Sequence, residues 1–268
     1  MKIYDCFTFN DENHILEIRL HELDKFVDYF IIIEFGETHQ GTKKEKSISE
    51  DLLKKFKKKI RYFYFEKFNT TNNSWQRENF QRNKINLGLS DAAPDDIIMI
   101  SDVDEIPDLN NFNFSLIDNW VFAFSLIHSM YKINLIRSDD WIGTKLCKKK
   151  NLKSPQWLRS LKVNKKYSFL RLDKYFAKTY YSKFKVIKNS GWHFGWLKDV
   201  NEIIKKINSY AHTEHNTSEY NNFSYIDDCI NKNISFLNND EKLRIEKNLD
   251  KFPKYIIENK EKFKKWIY

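Results

Sequence analysis

The chain has 268 residues, of which 41% are hydrophobic, enough for one large domain with a substantial core. Lys and Arg exceed Asp and Glu by 46 − 37 = 9, but the composition is also rich in Asn, Ile, Phe and Tyr, a bias that an AT-rich genome imposes, so the surplus alone does not predict a polyanionic partner. No apolar stretch approaches the roughly 20 residues of a membrane span and the N-terminus has no signal-peptide pattern, so we expect a cytoplasmic protein.

The first hundred residues alternate between two patterns. Continuous apolar runs predict buried strands, and apolar residues at helical spacing predict the helices between them. The predicted strands are residues 2–9, 26–35 and 60–65, and the helical segments are residues 14–23, 50–59 and 75–89. This alternation favours a parallel, doubly wound sheet. No glycine-rich phosphate loop follows any strand, so a nucleotide would have to be held by side chains and a metal.

A fourth strand is predicted within residues 97–107, where an apolar run ends in acidic side chains and then in Pro107, which cannot continue the strand ladder. Ligands of open α/β sheets bind at the carboxyl ends of strands. On extended backbone Asp102 and Asp104 point the same way, whereas Glu105 points to the opposite face and is expected to brace the loop. Aspartate pairs also occur at caps and turns, but two convergent carboxylates at a strand tip favour Mg²⁺ or Mn²⁺.

The second half of the chain predicts a mixed sheet. Residues 120–127 and 130–136 have the pattern of two antiparallel strands, and residues 184–187 that of another. Ser154 followed by Pro155 is typical of a helix start, and residues 200–211 form an amphipathic pattern. We expect one domain over residues 1–235, with a helical extension over residues 236–268 packed on it.

Several further side chains have two readings. His193, between Trp192 and Phe194 and flanked by two glycines, could be a packed core histidine or a metal ligand, and the sequence favours neither. Arg77 and Arg82, on the helix predicted at residues 75–89, could be solvated or could clamp a phosphate.

Cysteine and lysine usage narrows the function further. Cys6, Cys147 and Cys229 are widely spaced without a metal-ligand pattern, which predicts buried thiols in a reducing compartment. The lysine runs at residues 54–59 and 148–150 lack the aromatic interleaving of a nucleic-acid-binding module, so no nucleic acid is expected as a partner.

Five blocks, in order from residue 4 to about residue 214, resemble glycosyltransferase family 17, the family of β-1,4-mannosyl-glycoprotein β-1,4-N-acetylglucosaminyltransferases. Their combination is far more specific than any one block. They are residues 4–7 with 16–20; residues 27–34 with Thr38 and Gly41; residues 75–78 with 81–83; residues 101–107; and residues 191–194 with 209–214.

The resemblance implies a GT-A-type single domain with a Rossmann-like, mixed but mostly parallel sheet. It also implies an inverting transfer of a sugar, most simply GlcNAc from UDP-GlcNAc, onto a glycan hydroxyl. The metal ligands would be Asp102, Asp104 and His193. The donor contacts would be Phe7, Arg19, Glu34, Arg82, Asp102 and Trp192. The general base stays open among Glu105, Asp140 and Glu214.

Two alternatives remain at this point. The chain could use another nucleotide sugar, such as UDP-Glc, UDP-Gal or GDP-Man, to build a surface glycan. It could also be a non-catalytic carbohydrate- or RNA-binding relative in which Asp102 is structural. The sequence leaves the oligomeric state open.

Overall fold

A computed structural model describes residues 1–69, 73–162, 183–211, 217–218 and 220–268. The four strands predicted in the first hundred residues are present and parallel, and helices alternate with them. The strands are β1 (Ile3–Thr8), β2 (Tyr29–Phe35), β3 (Ile60–Phe65) and β4 (Ile97–Asp102), and the helices are α1 (Asn13–Leu23), α2 (Glu50–Lys55) and α3 (Ser74–Asn83).

Local sequence explains these elements. The strands are apolar on both faces because helices cover the sheet on both sides, and residues 30–33 of β2 are fully buried. Ser49 and Asn73 cap α2 and α3 through side-chain oxygens that accept backbone N–H groups. The helix predicted at residues 75–89 tightens after α3 into a 3₁₀ turn, Lys84–Leu89. A Cβ on Gly88 would lie 2.4 Å from Ile31, so this turn packs directly on β2.

Residues 105–231 contain six strands and three α-helices among the described residues. They are β5 (Glu105–Pro107), β6 (Val121–Met130), β7 (Leu135–Ile136), β8 (Trp141–Lys148), β9 (Phe184–Ile187) and β10 (Gly191–Trp196), with α4 (Pro155–Ser160), α5 (Val200–Ile207) and α6 (Phe223–Asn231).

The predicted strand pair at residues 120–127 and 130–136 is wrong in its second member. β6 continues to Met130, and only the two-residue β7 returns beside it. The long antiparallel partner of β6 is β8, for which the sequence pattern predicted no strand. Two acidic residues precede β8, and it contains a buried lysine, Lys145, so its composition does not resemble that of a core strand.

All but two of the thirteen strands in the described residues form one mixed sheet, in which β10 pairs with both β5 and β6, and β9 pairs with β6. The strand order is β13 (Arg244–Ile245), β7, β6, β8, β4, β1, β2 and β3. The predicted mixed sheet flanked by helices is confirmed, and it is consistent with a single GT-A-type domain. The order places β4 and β1 side by side, with β2 beyond β1 and β8 beyond β4. The central position of β4 therefore carries its acidic end into the middle of the sheet's carboxyl edge.

The predicted helical extension, residues 236–268, is only partly helical. β12 (Asn238–Lys242) pairs with β11 (Ile234–Ser235), and β13 (Arg244–Ile245) pairs with β7 at the edge of the main sheet. The helices α7 (Lys254–Glu258) and α8 (Lys260–Phe263) follow. Tyr255 donates its hydroxyl to Glu17 of α1 at 2.8 Å, so the last segment packs on the first helix.

Two composition-based expectations also meet the structure. Cys6, Cys147 and Cys229 are buried and unpaired, as predicted. Among the described residues, no helix combines the length and the apolar character that crossing a bilayer would require.

Candidate active site

The acidic residues predicted to bind a ligand lie on a turn between β4 and β5. β4 ends at Asp102, which pairs with Thr8 at the end of β1, and the chain turns at Val103 and Asp104 before β5 begins. Neighbouring parallel strands that are not consecutive in the chain form a topological switch point, where α/β proteins bind ligands. Because the backbone turns, the alternation expected for an extended strand does not apply to these side chains.

Arg19 of α1 holds this turn from below. Its side chain has no exposed surface. It forms a two-point ion pair with Asp5, with Nε–Oδ2 and Nη2–Oδ1 distances of 2.7 and 2.5 Å. Nη1 also donates to the carbonyl oxygens of Asp102, Val103 and Glu105 at 3.1, 3.3 and 2.8 Å. The Arg19 guanidinium therefore fixes the turn, and its contact with a donor stays a prediction.

Asp102 is gripped by two arginines. Its Oδ1 accepts from Arg82 of α3 at 2.8 Å and its Oδ2 accepts from Arg159 of α4 at 2.7 Å. Arg82 also pairs with Glu78 at 2.7 Å. Burial alone would raise the pKa of Asp102, but the guanidinium groups of Arg159 and Arg82 hold that pKa well below its usual value. Asp102 is thus ionised, and each of its carboxylate oxygens accepts a hydrogen bond from a guanidinium group.

Glu105 lies on the same side as Asp102 and shares its arginine. Its Oε1 accepts from Arg159 at 2.7 Å and from the indole Nε1 of Trp141 at 2.6 Å, and its Oε2 accepts from Arg159 at 2.9 Å. The carboxylate is 1% exposed. Glu105 therefore shares a guanidinium with Asp102 instead of pointing to the opposite face, because the backbone turns at residues 103 and 104. A buried carboxylate committed to a guanidinium is poorly suited to take a proton from a substrate.

Arg159 was not singled out in the sequence. The predicted start of α4 is confirmed, because the Oγ of Ser154 accepts from the Trp157 N–H at 3.0 Å and Pro155 follows. At the other end of α4, the buried ammonium of Lys145 donates to the carbonyl oxygens of Arg159 and Leu161. Burial, aided by the nearby charge of Arg159, lowers the pKa of Lys145 to about 7. These contacts fix the helix end from which Arg159 reaches the turn.

Asp104 faces a different set of partners. Its Oδ2 lies 3.2 Å from the Nζ of Lys206 of α5, and its Oδ1 lies 3.8 Å from the Nε2 of His193. The same Nζ donates to the Oε1 of Glu12 at 2.9 Å and to the carbonyl oxygen of Gly195 at 2.6 Å. Burial opposes ionisation of Lys206, but Glu12 and Asp104 raise its pKa above the ordinary value, so the ammonium stays charged.

His193 is placed by the sheet. β10 lies between β5 and β6, in a register that sets His193 beside Glu105 on one side and His128 on the other. Its ring stacks on Trp141 with 4.7 Å between centroids, and a Cβ on Gly195 would lie 2.8 Å from its Nε2. Burial lowers the pKa of His193, which favours the neutral imidazole. Its Nδ1 is buried and has no hydrogen-bond partner among the residues that the structure describes.

The predicted metal ligands do not form a metal centre in this structure. Across the described ranges, no group of three or more His, Cys, Asp or Glu side chains is arranged to hold a metal ion. Asp102 is bound by two guanidinium groups, and Asp104 by an ammonium group. The donor set of Asp102, Asp104 and His193 therefore does not fit a divalent cation unless these side chains are displaced, and we derive no step through one.

Three of the predicted donor contacts lie in the interior. Phe7 is fully buried beneath Arg19, with 4.5 Å from ring centroid to guanidinium carbon. Trp192 packs in the main core and donates its Nε1 to the carbonyl of Lys251 at 2.7 Å. Glu34 has no exposed surface either, and its partners are described below. The donor contacts of these three side chains stay predictions, and in this structure each of them packs inside the fold.

Glu34 anchors the loop that follows β2. Its Oε1 accepts from the Lys44 ammonium at 2.7 Å and from the backbone N–H of Ser47 at 2.8 Å, and its Oε2 accepts from the Tyr62 hydroxyl at 2.7 Å. Burial opposes its ionisation, but the hydrogen bonds from Lys44 and Ser47 lower its pKa. Glu34 thus fixes the loop that follows β2.

The remaining base candidates are Asp140 and Glu214. Asp140 is exposed at the start of β8, and its Oδ2 accepts from the Oγ of Ser125 at 2.6 Å. The next residue, Trp141, is 37% exposed. Its indole nitrogen donates to Glu105 and its ring stacks on His193. Glu214 lies outside the described residues.

A cavity of about 480 Å³ opens beside Lys206, whose ammonium group donates to Asp104. It is bounded by the residues after β1, by the loop after β2 and by α5, so it occupies the carboxyl edge of the parallel strands. Six lysines line it, against three acidic side chains. The lysines are Lys43, Lys44, Lys46, Lys198, Lys205 and Lys206. Lys206 lines this cavity and also donates to Asp104 of the acidic turn. An anion in the cavity would therefore lie beside the turn.

Comparison with known proteins gives one match over the whole chain. The model of glycosyltransferase family 17 matches residues 1–267. Curated relatives named beta-1,4-mannosyl-glycoprotein 4-beta-N-acetylglucosaminyltransferase, from Rattus norvegicus, Homo sapiens and Mus musculus, are each 27% identical over 143 residues. Those residues cover 48% of this chain and 27% of each relative, so the matched region is a minor part of the curated proteins.

Two crystal structures of HddC from Yersinia pseudotuberculosis, one complexed with GMP-PN, match at lower similarity. Their TM-scores are 0.35 and 0.34, with 11% and 13% sequence identity, over 70% of this chain and 90% of HddC. These scores are too low to support a shared ligand or mechanism.

Proposed function

Because this chain belongs to glycosyltransferase family 17, we propose that it transfers a sugar from a nucleotide-sugar donor to a hydroxyl group of a glycan. The observation that carries the proposal is the meeting of the lysine-lined cavity with the Asp102–Glu105 turn at the carboxyl edge of the sheet. A nucleotide sugar is a diphosphate, and a basic cavity at this edge suits it.

The donor proposed is UDP-GlcNAc. The curated relatives are named as N-acetylglucosaminyltransferases, which supports GlcNAc as the sugar, and the acceptor of this chain would then be a mannose-like residue of a glycan. Inversion at the anomeric carbon is part of the same proposal. UDP-Glc, UDP-Gal and GDP-Man are the competing donors.

In this reaction the acceptor oxygen forms a bond to C1 of the sugar, and the bond from C1 to the phosphate oxygen breaks with its electron pair on the leaving diphosphate. The proton of the acceptor hydroxyl passes to a carboxylate base. Asp140 is the base that we propose, because it is exposed and lies beside Trp141, whereas Glu105 is buried in its ion pair with Arg159. The partly exposed Trp141 ring offers a surface on which a sugar can stack.

The test is to incubate the protein with each of the four donors and to follow release of the nucleoside diphosphate, with and without oligomannose acceptors. We expect release from UDP-GlcNAc to exceed release from the other donors. The predicted Mn²⁺ or Mg²⁺ is tested in the same series, by adding each metal or a chelator.

Variants of two neighbouring aspartates assign the base. Asp140→Asn is expected to abolish transfer while UDP binding, measured by calorimetry, stays within about twofold, since the base contacts the acceptor rather than the nucleotide. Asp139→Asn is the matched control, because Asp139 is exposed and pairs only loosely with Arg137 at 3.3 Å. Near-normal turnover of Asp140→Asn would remove Asp140 from the mechanism. No nucleotide binding by the wild type, together with stabilisation by RNA, would instead favour a non-catalytic binder.

A further inference from the structure

The ammonium group of Lys206 is surrounded by oxygen atoms from three separate segments. Asp104 belongs to the turn after β4, Glu12 to the connection between β1 and α1, and Gly195 to β10, and their oxygens lie 3.2, 2.9 and 2.6 Å from the Nζ. Two carboxylates and a backbone carbonyl that converge on one point are the ligand types that a hard divalent cation takes. Here a side chain of the protein occupies that point.

We propose that the Lys206 ammonium is a built-in cation that takes the place of a divalent metal at Asp104, so that this chain binds its diphosphate ligand without one. We call the oxygens of Asp104, Glu12 and Gly195 around this ammonium the oxygen cage. The inference about the diphosphate rests on the proposed function, whereas the inference about the oxygen cage does not.

Charge balance supports this assignment. Asp104 and Glu12 carry two negative charges, and the two ammonium groups of Lys206 and Lys198 lie within 3.6 Å of them. These carboxylates are therefore neutralised by the chain itself. A divalent cation entering this cage would meet the Lys206 ammonium at short range, and that repulsion opposes its binding.

Geometry links the same ammonium to the cavity. Lys206 is 18% exposed and lines the cavity that opens beside the turn. A diphosphate seated there would gain one negative charge when the C1–O bond breaks, and Lys206 is positioned to offset that charge from the cavity wall. Its helix, α5, is held by a capping box between Asp199 and Glu202, and Ile203 and Ile207 are buried beside it. The ammonium is therefore fixed in place before any ligand arrives.

The first experiment measures binding of Mn²⁺ alone, by electron paramagnetic resonance of the chelator-treated protein. Lys206→Met empties the cage of its ammonium and leaves the carboxylates of Asp104 and Glu12 unneutralised. We expect this variant to bind Mn²⁺ at least tenfold more tightly than the wild type. Lys206→Arg keeps the positive charge, so its Mn²⁺ binding should stay as weak as that of the wild type. Lys232→Met should also bind Mn²⁺ weakly, because Lys232 is exposed just after α6 and pairs with Asp228. Mn²⁺ binding by the wild type as tight as by Lys206→Met would overturn the proposal.

The second experiment uses only the wild type and so does not depend on a variant that folds. UDP is titrated by calorimetry in the presence of a chelator and then with Mn²⁺. We expect the UDP dissociation constant to change less than threefold between the two conditions. UDP binding that requires Mn²⁺ would overturn this inference and leave the proposed function standing. No UDP binding under either condition would remove UDP-GlcNAc as the proposed donor and the diphosphate part of the inference, while the Mn²⁺ experiment would still decide the cage.

Discussion

Asp102 and Asp104 are two residues apart in one turn, yet different helices hold them. Asp102 is fixed by Arg82 and by Arg159, both of which belong to helices packed near the sheet's centre. Asp104 turns the other way, toward Lys206 and the cavity. The turn therefore has an arginine side, defined by Arg82 and Arg159, and a lysine side, defined by Lys206.

The difference shows that a pair of aspartates at a strand tip is not by itself a symmetric clamp for one cation. On the arginine side the carboxylate is a fixed part of the scaffold. On the lysine side the carboxylate belongs to a group that reaches the cavity wall. A short motif with two like residues can thus serve two purposes, and Arg19 beneath the turn keeps both in position.

The largest effect is expected from Arg19, which supports both sides. Arg19→Met should lower the free energy of unfolding by about 3–5 kcal/mol, because Asp5 would be left as a buried, unpaired charge. Urea unfolding measures this. Arg61→Met is the control, since Asp91, the partner of Arg61, is half-exposed and stays hydrated when the pair is lost, so the loss should be smaller. Equal losses in the two variants would show that the buried clamp is not special.

The second-largest effect is expected on the arginine side of the turn. Arg159→Met should lower the free energy of unfolding by about 2 kcal/mol, because Asp102 and Glu105 both lose hydrogen bonds from a charged donor. Arg159→Lys should recover only part of the loss, since an ammonium cannot reproduce the planar fork that reaches both carboxylates. Urea unfolding measures the loss of free energy. Arg244→Met, which removes an exposed arginine, is the control. Full recovery by lysine would contradict the forked geometry.

A smaller effect is expected on the lysine side, through the loop that lines the cavity. Glu34→Gln should lower the free energy of unfolding by about 1–2 kcal/mol, because the loop loses its charged acceptor for Lys44 and Ser47. The same variant should weaken UDP binding, since residues 42–47 form part of the cavity wall. Glu258→Gln, on exposed surface, is the control. Weaker UDP binding without any loss of stability would argue for direct contact between Glu34 and the nucleotide.

The smallest effect is a pH dependence that differs between the aspartates. The pKa of Asp102 is lowered in the folded state, so its stabilising contribution is present above the unfolded pKa of about 3.9 and is lost as the pH falls. The stability difference between wild type and Asp102→Asn should therefore shrink by about 1 kcal/mol from about pH 4 to pH 3. The stability difference between wild type and Asp104→Asn should shrink less, because Asp104 pairs with one lysine at a longer distance. Urea unfolding at several pH values measures both, and identical profiles would erase the distinction.

The parallel half of the fold could be read from the sequence because its signals are local. The apolar runs of β1 to β4 and the capping residues of α3 and α4 lie within a few positions of the elements that they specify. β8 could not be read in this way, since its central Lys145 is tolerated only because the end of α4 supplies two carbonyl oxygens. Helical content in residues 236–268 was overestimated for a related reason, because β13 exists only by pairing with β7.

The candidate site divides in the same manner. The sequence identified the acidic turn at the end of β4 and the β10 block with His193, because both stand out as motifs. It did not identify Arg159 or Lys206. Arg159 is one arginine in a six-residue helix, and the only sign of Lys206 was its place on α5 three residues after buried Ile203. It also did not show that Arg19 fixes the turn and that Glu34 fixes the loop after β2, since charge at a strand or helix near the site does not reveal which way the side chain turns.

The sequence by itself determined the family, the alternating α/β order and the edge of the sheet where the acidic turn lies, because each depends on residues close together in the chain. Only the tertiary structure decided what those acids do. The partners of Asp102 and Asp104 come from residues 20 to 102 positions away, and their identity depends on how helices α3, α4 and α5 pack against the sheet. Long-range packing therefore turned one short acidic motif into an arginine-held scaffold on one side and a lysine-filled oxygen cage on the other.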